Sequence, residues 1–170
     1  MADYYTETSF IVELPEEACD WLEALRAAGD GIEDDTDIAQ LVADGELEDD
    51  EFAAVLKERQ ANVSWWNGIE VERESPTELW FHHDECANID VCVELIQATL
   101  KKFDLSIAIG FEWANTCSKP RVDAYGGGAV VVTKNDSKYV NTGSWVSQTI
   151  QDMELELAES GSNATKSKEK

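Results

Sequence analysis

Positive charge is scarce in this sequence. Its 170 residues include 13 Lys and Arg against 36 Asp and Glu, which leaves a formal net charge of −23 at pH 7. Binding of nucleic acid depends on Lys and Arg side chains that neutralise phosphates, so this composition disfavours it. Anionic lipid repels an acidic surface for the same reason. We therefore expect no direct nucleic-acid ligand and no membrane role.

Long apolar runs are missing as well. No stretch of the sequence approaches the ~20 apolar residues that a membrane-spanning helix needs. The N-terminal sequence MADYYTETSF lacks the basic and apolar regions of a signal peptide. The four cysteines are widely spaced at Cys19, Cys86, Cys92 and Cys117. We expect them to be free, mostly buried thiols of a protein in a reducing cytoplasm.

Apolar and aromatic residues are plentiful. The hydrophobic content is 43%, with six Trp, five Phe and four Tyr, which is enough to build a core and is untypical of disordered chains. Length and composition predict a single domain over residues 1–158, and the order of its strands and helices predicts the α+β class. The polar stretch at residues 159–170 is predicted to be a flexible tail.

Apolar periodicity predicts the order of the secondary structure. Alternation with a period of two predicts strands at residues 4–14, 65–74, 78–83, 105–113 and 122–134. Helical spacing predicts helices from Pro15 to about Gly29, from the capping residue Asn88 to Phe103, and through Trp145 and Met153. Taken in chain order and without the insertion at residues 30–62, the first six elements match the split β-α-β-β-α-β order of a ferredoxin-like fold. An extra strand and helix are expected at the C-terminal end.

The negative charge is concentrated in an insertion at about residues 30–62, which we predict to form two short helices. Residues 1–62 carry 19 acids and 3 bases, whereas residues 63–170 carry 17 acids and 10 bases. An acidic helical face could bind a basic surface of a partner by electrostatic complementarity. The candidate carboxylates for that surface are Asp34, Asp35, Asp37, Asp44, Glu46, Glu48, Asp49, Asp50 and Glu51. The alternative is a solvated face that aids solubility.

A metal site receives little support from the sequence. Side chains of the types that bind zinc cluster at His82, His83, Asp84, Glu85, Cys86 and Cys92. However, neighbouring strand residues point to opposite faces, and no second ligand pair follows at a recognised spacing. The acidic insertion also lacks the spacing of a calcium-binding EF-hand loop. We therefore predict no bound metal and no cofactor.

A second candidate site lies in the last third of the chain. Lys119 and Arg121 could lower the pKa of the Cys117 thiol, but a nucleophile also needs a base, and the chain has only two His. The run Gly126, Gly127 and Gly128 lacks the spacing of phosphate and dinucleotide loops, and glycines within a strand pattern more often indicate a bulge or a close backbone approach. The alternative function is an anion-binding or catalytic domain that uses these six residues.

One pair of motifs resembles a known family. The sequence WANTCSKPR at residues 113–121 and YGGGA at residues 125–129, followed by a Trp-containing helix, resembles a family of small uncharacterised proteins carried by bacteriophages and plasmids. The similarity covers roughly residues 65–153, and its specific signature is W-x3-C-S-K-P-R with G-G-G-A. The family has no established activity, so the resemblance implies a mobile-element setting in a bacterial host but no site residues.

These observations lead to one functional expectation. We expect a non-enzymatic phage or plasmid accessory protein in the host cytoplasm that binds a basic host protein surface through its carboxylates. Such a protein would inhibit a defence or nucleic-acid enzyme by imitating nucleic acid. The anion-binding or catalytic domain is the alternative, and a structural oligomer is a third.

Overall fold

The computed structural model describes residues 2–30, 68–121 and 124–166. Within these ranges the elements follow one another as β1 (Tyr4–Glu13), α1 (Glu16–Asp30), β2 (Glu70–Ser75), β3 (Glu78–His83), α2 (Ile89–Lys102), β4 (Ile109–Cys117), β5 (Gly126–Val132), β6 (Ser137–Asn141) and α3 (Thr142–Lys166). The strands form one six-stranded sheet in the order β2-β3-β1-β4-β5-β6, and every neighbouring pair is antiparallel. The predicted α+β class is confirmed.

The helices α1 and α2 form where the sequence predicts them. Helix α1 begins after Pro15, with Glu16 and Glu17 in its first turn, where acids interact favourably with the helix dipole. The side chain of Asn88 caps α2 by accepting a hydrogen bond from Val91 N. Their buried side chains recur at helical spacing and pack on alternate residues of the sheet, including Leu22, Leu25, Ile96, Phe81 and Val130. This packing forms the core and covers one face of the sheet.

Two strand predictions differ from the structure. The predicted strand at residues 105–113 begins instead at Ile109, because Leu105 N donates to Leu100 O and Asp104 adopts a φ of 49° at the end of α2. The predicted strand at residues 122–134 is shorter, and a further strand, β6, follows it. A turn closes this hairpin, with Thr133 N donating to Asp136 O. Strand β6 was not predicted, although Asn135 and Asp136 are of the residue types that favour turns.

The C-terminal helix is present but packs differently from α1 and α2. Helix α3 begins directly after β6, where Thr142 Oγ1 donates to Gly127 O at 3.1 Å. Its apolar residues Trp145, Val146, Ile150 and Met153 are exposed, so they add nothing to the core. The helical backbone continues to Lys166, into the stretch predicted to be a tail. Among the described residues, no helix is long and apolar enough to cross a membrane.

Close contact between β4 and β5 explains the glycine run. Gly127 has a φ of +148°, and a Cβ placed there would lie 2.2 Å from Trp113 O. A Cβ on Gly128 would lie 2.3 Å from the indole ring of Trp113. Since neither position has space for a side chain, the close approach of Trp113 accounts for these two glycines.

We predict that Gly127→Ala destabilises the protein by at least about 2 kcal/mol, since it adds both a clash and backbone strain. Gly110→Ala is the matched control, because a Cβ at Gly110 in the adjacent strand meets nothing closer than 3.6 Å. The control should change stability by no more than about 0.5 kcal/mol. Urea unfolding measures both, and equal effects of the two substitutions would contradict the packing described for β4 and β5.

A buried thiol makes the stability of the fold decrease at alkaline pH. Burial in α2 raises the pKa of the Cys92 thiol to about 12, whereas the pKa of an unfolded cysteine is about 8.5. The stabilising contribution is therefore fully present below about pH 8.5 and is lost as the pH rises towards the folded value.

We predict that the free energy of unfolding of the wild type falls more steeply between pH 9 and 11 than that of Cys92→Ala. The difference should be about 1 kcal/mol per pH unit, because only the wild type gains the thiolate on unfolding. Urea unfolding at pH 8, 9, 10 and 11 provides the comparison. Parallel curves for the two proteins would show that Cys92 is not buried in this way.

Candidate functional site

One face of the sheet is left uncovered by α1 and α2, and we call it the open face. Strand alternation and register place there Glu7, Glu13, Glu70, Glu72, Glu78 and Glu112, together with Ser9, Ile11, Trp80 and His82. Glu13 and Glu78 lie directly opposite each other on β1 and β3. Like charges in such positions destabilise a sheet, so the open face is an electrostatically unfavourable surface in the free protein.

Basic residues near the sheet do not neutralise this face. Arg73 on β2 points to the helix side, where it pairs with Asp20 and, at 2.9 Å, with Glu23 of α1. Arg26 of α1 donates two hydrogen bonds to Ile69 O on the same side. Within the six strands, the one Lys or Arg that shares the open face is Lys138, in the edge strand β6. The carboxylates of β1 to β4 therefore have no Lys or Arg neighbour on the strands that carry them.

Strand β1 changes its hydrogen-bonding partner at its centre. Residues Tyr4 to Glu7 pair with β4, and residues Thr8 to Glu13 pair with β3. The Thr8 hydroxyl donates to Glu112 O at 2.8 Å and so links the two strands where their ladder ends. Because β1 and β4 no longer form a ladder beyond this point, a cavity of about 800 Å³ opens between β3, β1 and β4.

The cavity is acidic and aromatic. It is lined by four carboxylates and by aromatic and polar side chains, namely Glu7, Glu70, Asp84, Glu112, Trp80, Trp113, His82, His83, Thr8, Ser9 and Ala114. No Lys or Arg is among these residues. This combination can hold a cationic group, since carboxylates accept its hydrogen bonds and aromatic faces attract positive charge.

Hydrogen bonds orient several of the lining side chains. Thr116 Oγ1 donates to Glu7 Oε1 at 2.7 Å. Trp80 Nε1 donates to Ser9 Oγ at 3.0 Å, and the Trp80 ring stacks on His82 at a centroid distance of 3.8 Å. His83 Nδ1 accepts from the backbone N–H groups of Glu85 and Cys86, so it has a local role in the turn before α2. Most of the cavity wall is thus built on strands, and Asp84 follows β3 in the turn before α2.

The acidic residues predicted to bind a partner are not tested by the structure. Asp34, Asp35, Asp37, Asp44, Glu46, Glu48, Asp49, Asp50 and Glu51 all lie outside the described residues. The predicted helical insertion at residues 30–62 lies almost wholly outside them as well. The acidic surface of the open face is formed by other residues, none of which was among the predicted partner-binding carboxylates.

The residues of the predicted anion site lie at the end of β4, in the segment that follows it and in β5. Cys117 is buried at the end of β4, whereas Lys119 and Arg121 follow it at exposed positions. Arg121 donates to the hydroxyl of Tyr4 at 3.0 Å. Gly126, Gly127 and Gly128 form the first half of β5. A smaller cavity nearby, of about 330 Å³, is lined instead by residues such as Tyr4, Asn115 and Tyr125.

The cluster of histidines and cysteines separates in the structure. His82 points to the open face and His83 to the opposite one, as the alternation of a strand predicts. Cys86 is exposed, and Cys92 is buried within α2. His82 instead meets Glu70 and Glu72, which come from the adjacent strand. Pairing residues across the turn at Pro76 would have revealed this neighbourhood from the sequence.

Comparisons of the chain with models of protein families, with curated proteins and with solved structures find no match. The interpretation of the candidate site therefore rests on the geometry and chemistry of its residues.

We predict that Cys86 alone reacts rapidly with iodoacetamide at pH 7.5 in the folded protein. Cys86 is exposed, whereas Cys19, Cys92 and Cys117 are buried free thiols. Peptide mapping by mass spectrometry measures the alkylation of each residue, and unfolding in urea should expose all four. If Cys117 reacted as fast as Cys86, an activated nucleophile at the end of β4 would be indicated instead.

Proposed function

We propose that this protein acts without catalysis, by binding a basic surface of a partner protein through the open face of its sheet. The observation that carries the proposal is the cavity between β3, β1 and β4, whose described lining residues include four carboxylates and Trp80 but no Lys or Arg. A cationic side chain of the partner would enter it. Binding would also relieve the repulsion among the carboxylates of the free protein.

The size and chemistry of the cavity favour a Lys or Arg side chain as the group that enters. Its volume of about 800 Å³ lies within the ~300–1,000 Å³ of typical binding cavities. Glu7, Glu70 and Glu112 surround it from three different strands, so one guanidinium or ammonium group could contact more than one carboxylate. Trp80 offers an aromatic surface in the same cavity.

The arrangement of charge supports imitation of nucleic acid as the mode of binding. Alternate residues on a strand lie on one face, so Glu70 and Glu72 add their charges to the same side of the sheet as Glu7 and Glu112. A phosphate backbone likewise presents a dense negative charge to its protein partners. The 11 acids between Asp30 and Glu51 add to the field that attracts a basic partner. We therefore favour a host enzyme that grips nucleic acid as the partner, in the bacteriophage or plasmid setting that the family resemblance implies.

We also propose that the first four strands with α1 and α2 form a ferredoxin-like unit. The sheet order β2-β3-β1-β4, with antiparallel neighbours and both helices on one face, supports this assignment. In this view β5, β6 and α3 are additions beside β4. The open face is the side of the unit that the two helices leave free for a partner.

The proposal is tested with two variants of equal charge change. Glu7→Gln, Glu70→Gln and Glu112→Gln together remove three carboxylates from the cavity. Glu16→Gln, Glu17→Gln and Asp90→Asn remove three exposed carboxylates from the helices instead. We expect the cavity variant to bind an Arg-rich peptide at least about tenfold more weakly, since charge-paired groups at an interface contribute several kcal/mol. The helix variant should stay within about twofold, because rim charges contribute little.

Isothermal titration at 50 and 300 mM NaCl measures both affinities and their salt dependence. The same variants are then used as baits in a bacterial host lysate, with competition by duplex DNA for any captured protein. Loss of capture with the cavity variant alone, and release of the partner by DNA, are the expected results. Equal losses of affinity for both variants would show that net charge alone drives binding. Unchanged binding of both would show that the cavity is not the binding site.

A further inference from the structure

Three metal-ligating side chains converge on the open face at the β2–β3 hairpin. The hairpin register places Glu70 directly opposite His82 and Glu72 opposite Trp80. His82 Nε2 lies 3.5 Å from Glu72 Oε1 and 3.8 Å from Glu70 Oε2. One ligand atom from each of the three residues lies within 4.8 Å of the other two. The cluster thus offers one imidazole nitrogen and two carboxylate oxygens to a common point.

The imidazole nitrogen that faces the carboxylates has no hydrogen-bond partner. His82 Nε2 is buried, and the described residues supply no group that bonds to it. Both of its N···O separations exceed the ~2.7–2.9 Å of a charge-assisted hydrogen bond. They are close to the roughly 3.4 Å that separates two ligands of a tetrahedral ion whose bonds are about 2.1 Å long. The nitrogen and the two carboxylates are therefore near the positions that a shared cation requires.

We propose that Glu70, Glu72 and His82 form a binding site for a divalent transition-metal ion of the zinc type. An imidazole with two carboxylates is a donor set that suits zinc, whereas calcium requires six or more oxygen ligands and magnesium near-ideal octahedral geometry. Three protein ligands leave a fourth position open. Since Glu70 and His82 also line the large cavity, that position is accessible to solvent and to small ligands.

The surroundings of His82 hold the imidazole in place for this role. Trp80, two residues earlier on the same strand, stacks on the ring with an interplanar angle of 24°. The indole N–H of Trp80 is itself bonded to Ser9 on β1. The histidine ring is thereby fixed by two strands, and the two glutamates stand on a third. Ligands on rigid strands need little reorganisation when an ion binds.

The metal site is tested independently of the proposed partner binding, because Zn²⁺ affinity is measured on the protein without a partner. The experiment uses the full chain with Cys86→Ser in every sample, so that the exposed thiol cannot act as a competing ligand. After treatment with a chelator, Zn²⁺ affinity and stoichiometry are measured by titration calorimetry, and Co²⁺ is added separately to record its visible absorption. His82→Gln and Glu72→Gln each remove one ligand. Glu112→Gln is the matched control, since it removes a carboxylate of the same cavity outside the cluster.

We expect one Zn²⁺ per chain at the tightest site and a Co²⁺ spectrum of four-coordinate type. His82→Gln and Glu72→Gln should each weaken Zn²⁺ binding by more than about tenfold, since even outer-shell substitutions cost about 10–100-fold. Glu112→Gln should stay within about threefold. In the protein that carries Cys86→Ser alone, Zn²⁺ should also shift the ring Nε2 resonance of His82, which a diffuse ion atmosphere would not do.

Two results would overturn the inference. Equal weakening by Glu112→Gln and Glu72→Gln would show that cations are held only by the general negative field. Absence of a stoichiometric site, with the His82 resonance unchanged, would show that the three side chains do not share an ion. Thermal unfolding in the presence of chelator checks that each variant is folded.

Discussion

Burial of one face of the sheet against α1 and α2 is the constraint on which the rest of the structure depends. Side chains alternate along a strand, so the register that puts Val12, Leu79 and Phe81 into the core also sends their neighbours to the other side. Those neighbours include most of the strand glutamates. The basic residues Arg26 and Arg73 are used on the helix side. The hydrophobic core and the acidic open face are therefore consequences of the same register.

The cavity arises from a second constraint, the change of partner within β1. Had β1 paired with β4 along its whole length, the two strands would close over the space that Glu7, Ser9 and Glu112 now line. Stacking of Phe10 on Phe111, at a centroid distance of 4.1 Å, holds the strands together from the core side. The result is an opening on the acidic side above a packed apolar floor. Such a site gathers charge without exposing the core.

Local signals made much of the fold predictable, whereas the site depends on pairing between distant residues. The cap at Asn88 and the apolar spacing that follows it define α2, and alternation defines β1. By contrast, the cavity brings together Glu7 and Glu112, which are 105 positions apart in the sequence. The proximity of His82 to Glu70 and Glu72 likewise depends on the register of the β2–β3 hairpin. Helix periodicity also predicted the apolar residues of α3, but it does not reveal that Trp145, Ile150 and Met153 are exposed.

Chemical-shift mapping tests the central claim most directly. An Arg-rich peptide is titrated into isotopically labelled protein, and the amide and indole shifts are followed residue by residue. If the open face binds the peptide, the largest shifts fall on Glu7, Ser9, Trp80 and Glu112, with little change along α1 and α2. Shifts confined to α3, or spread evenly over all exposed acids, would contradict the assignment of the open face as the binding surface.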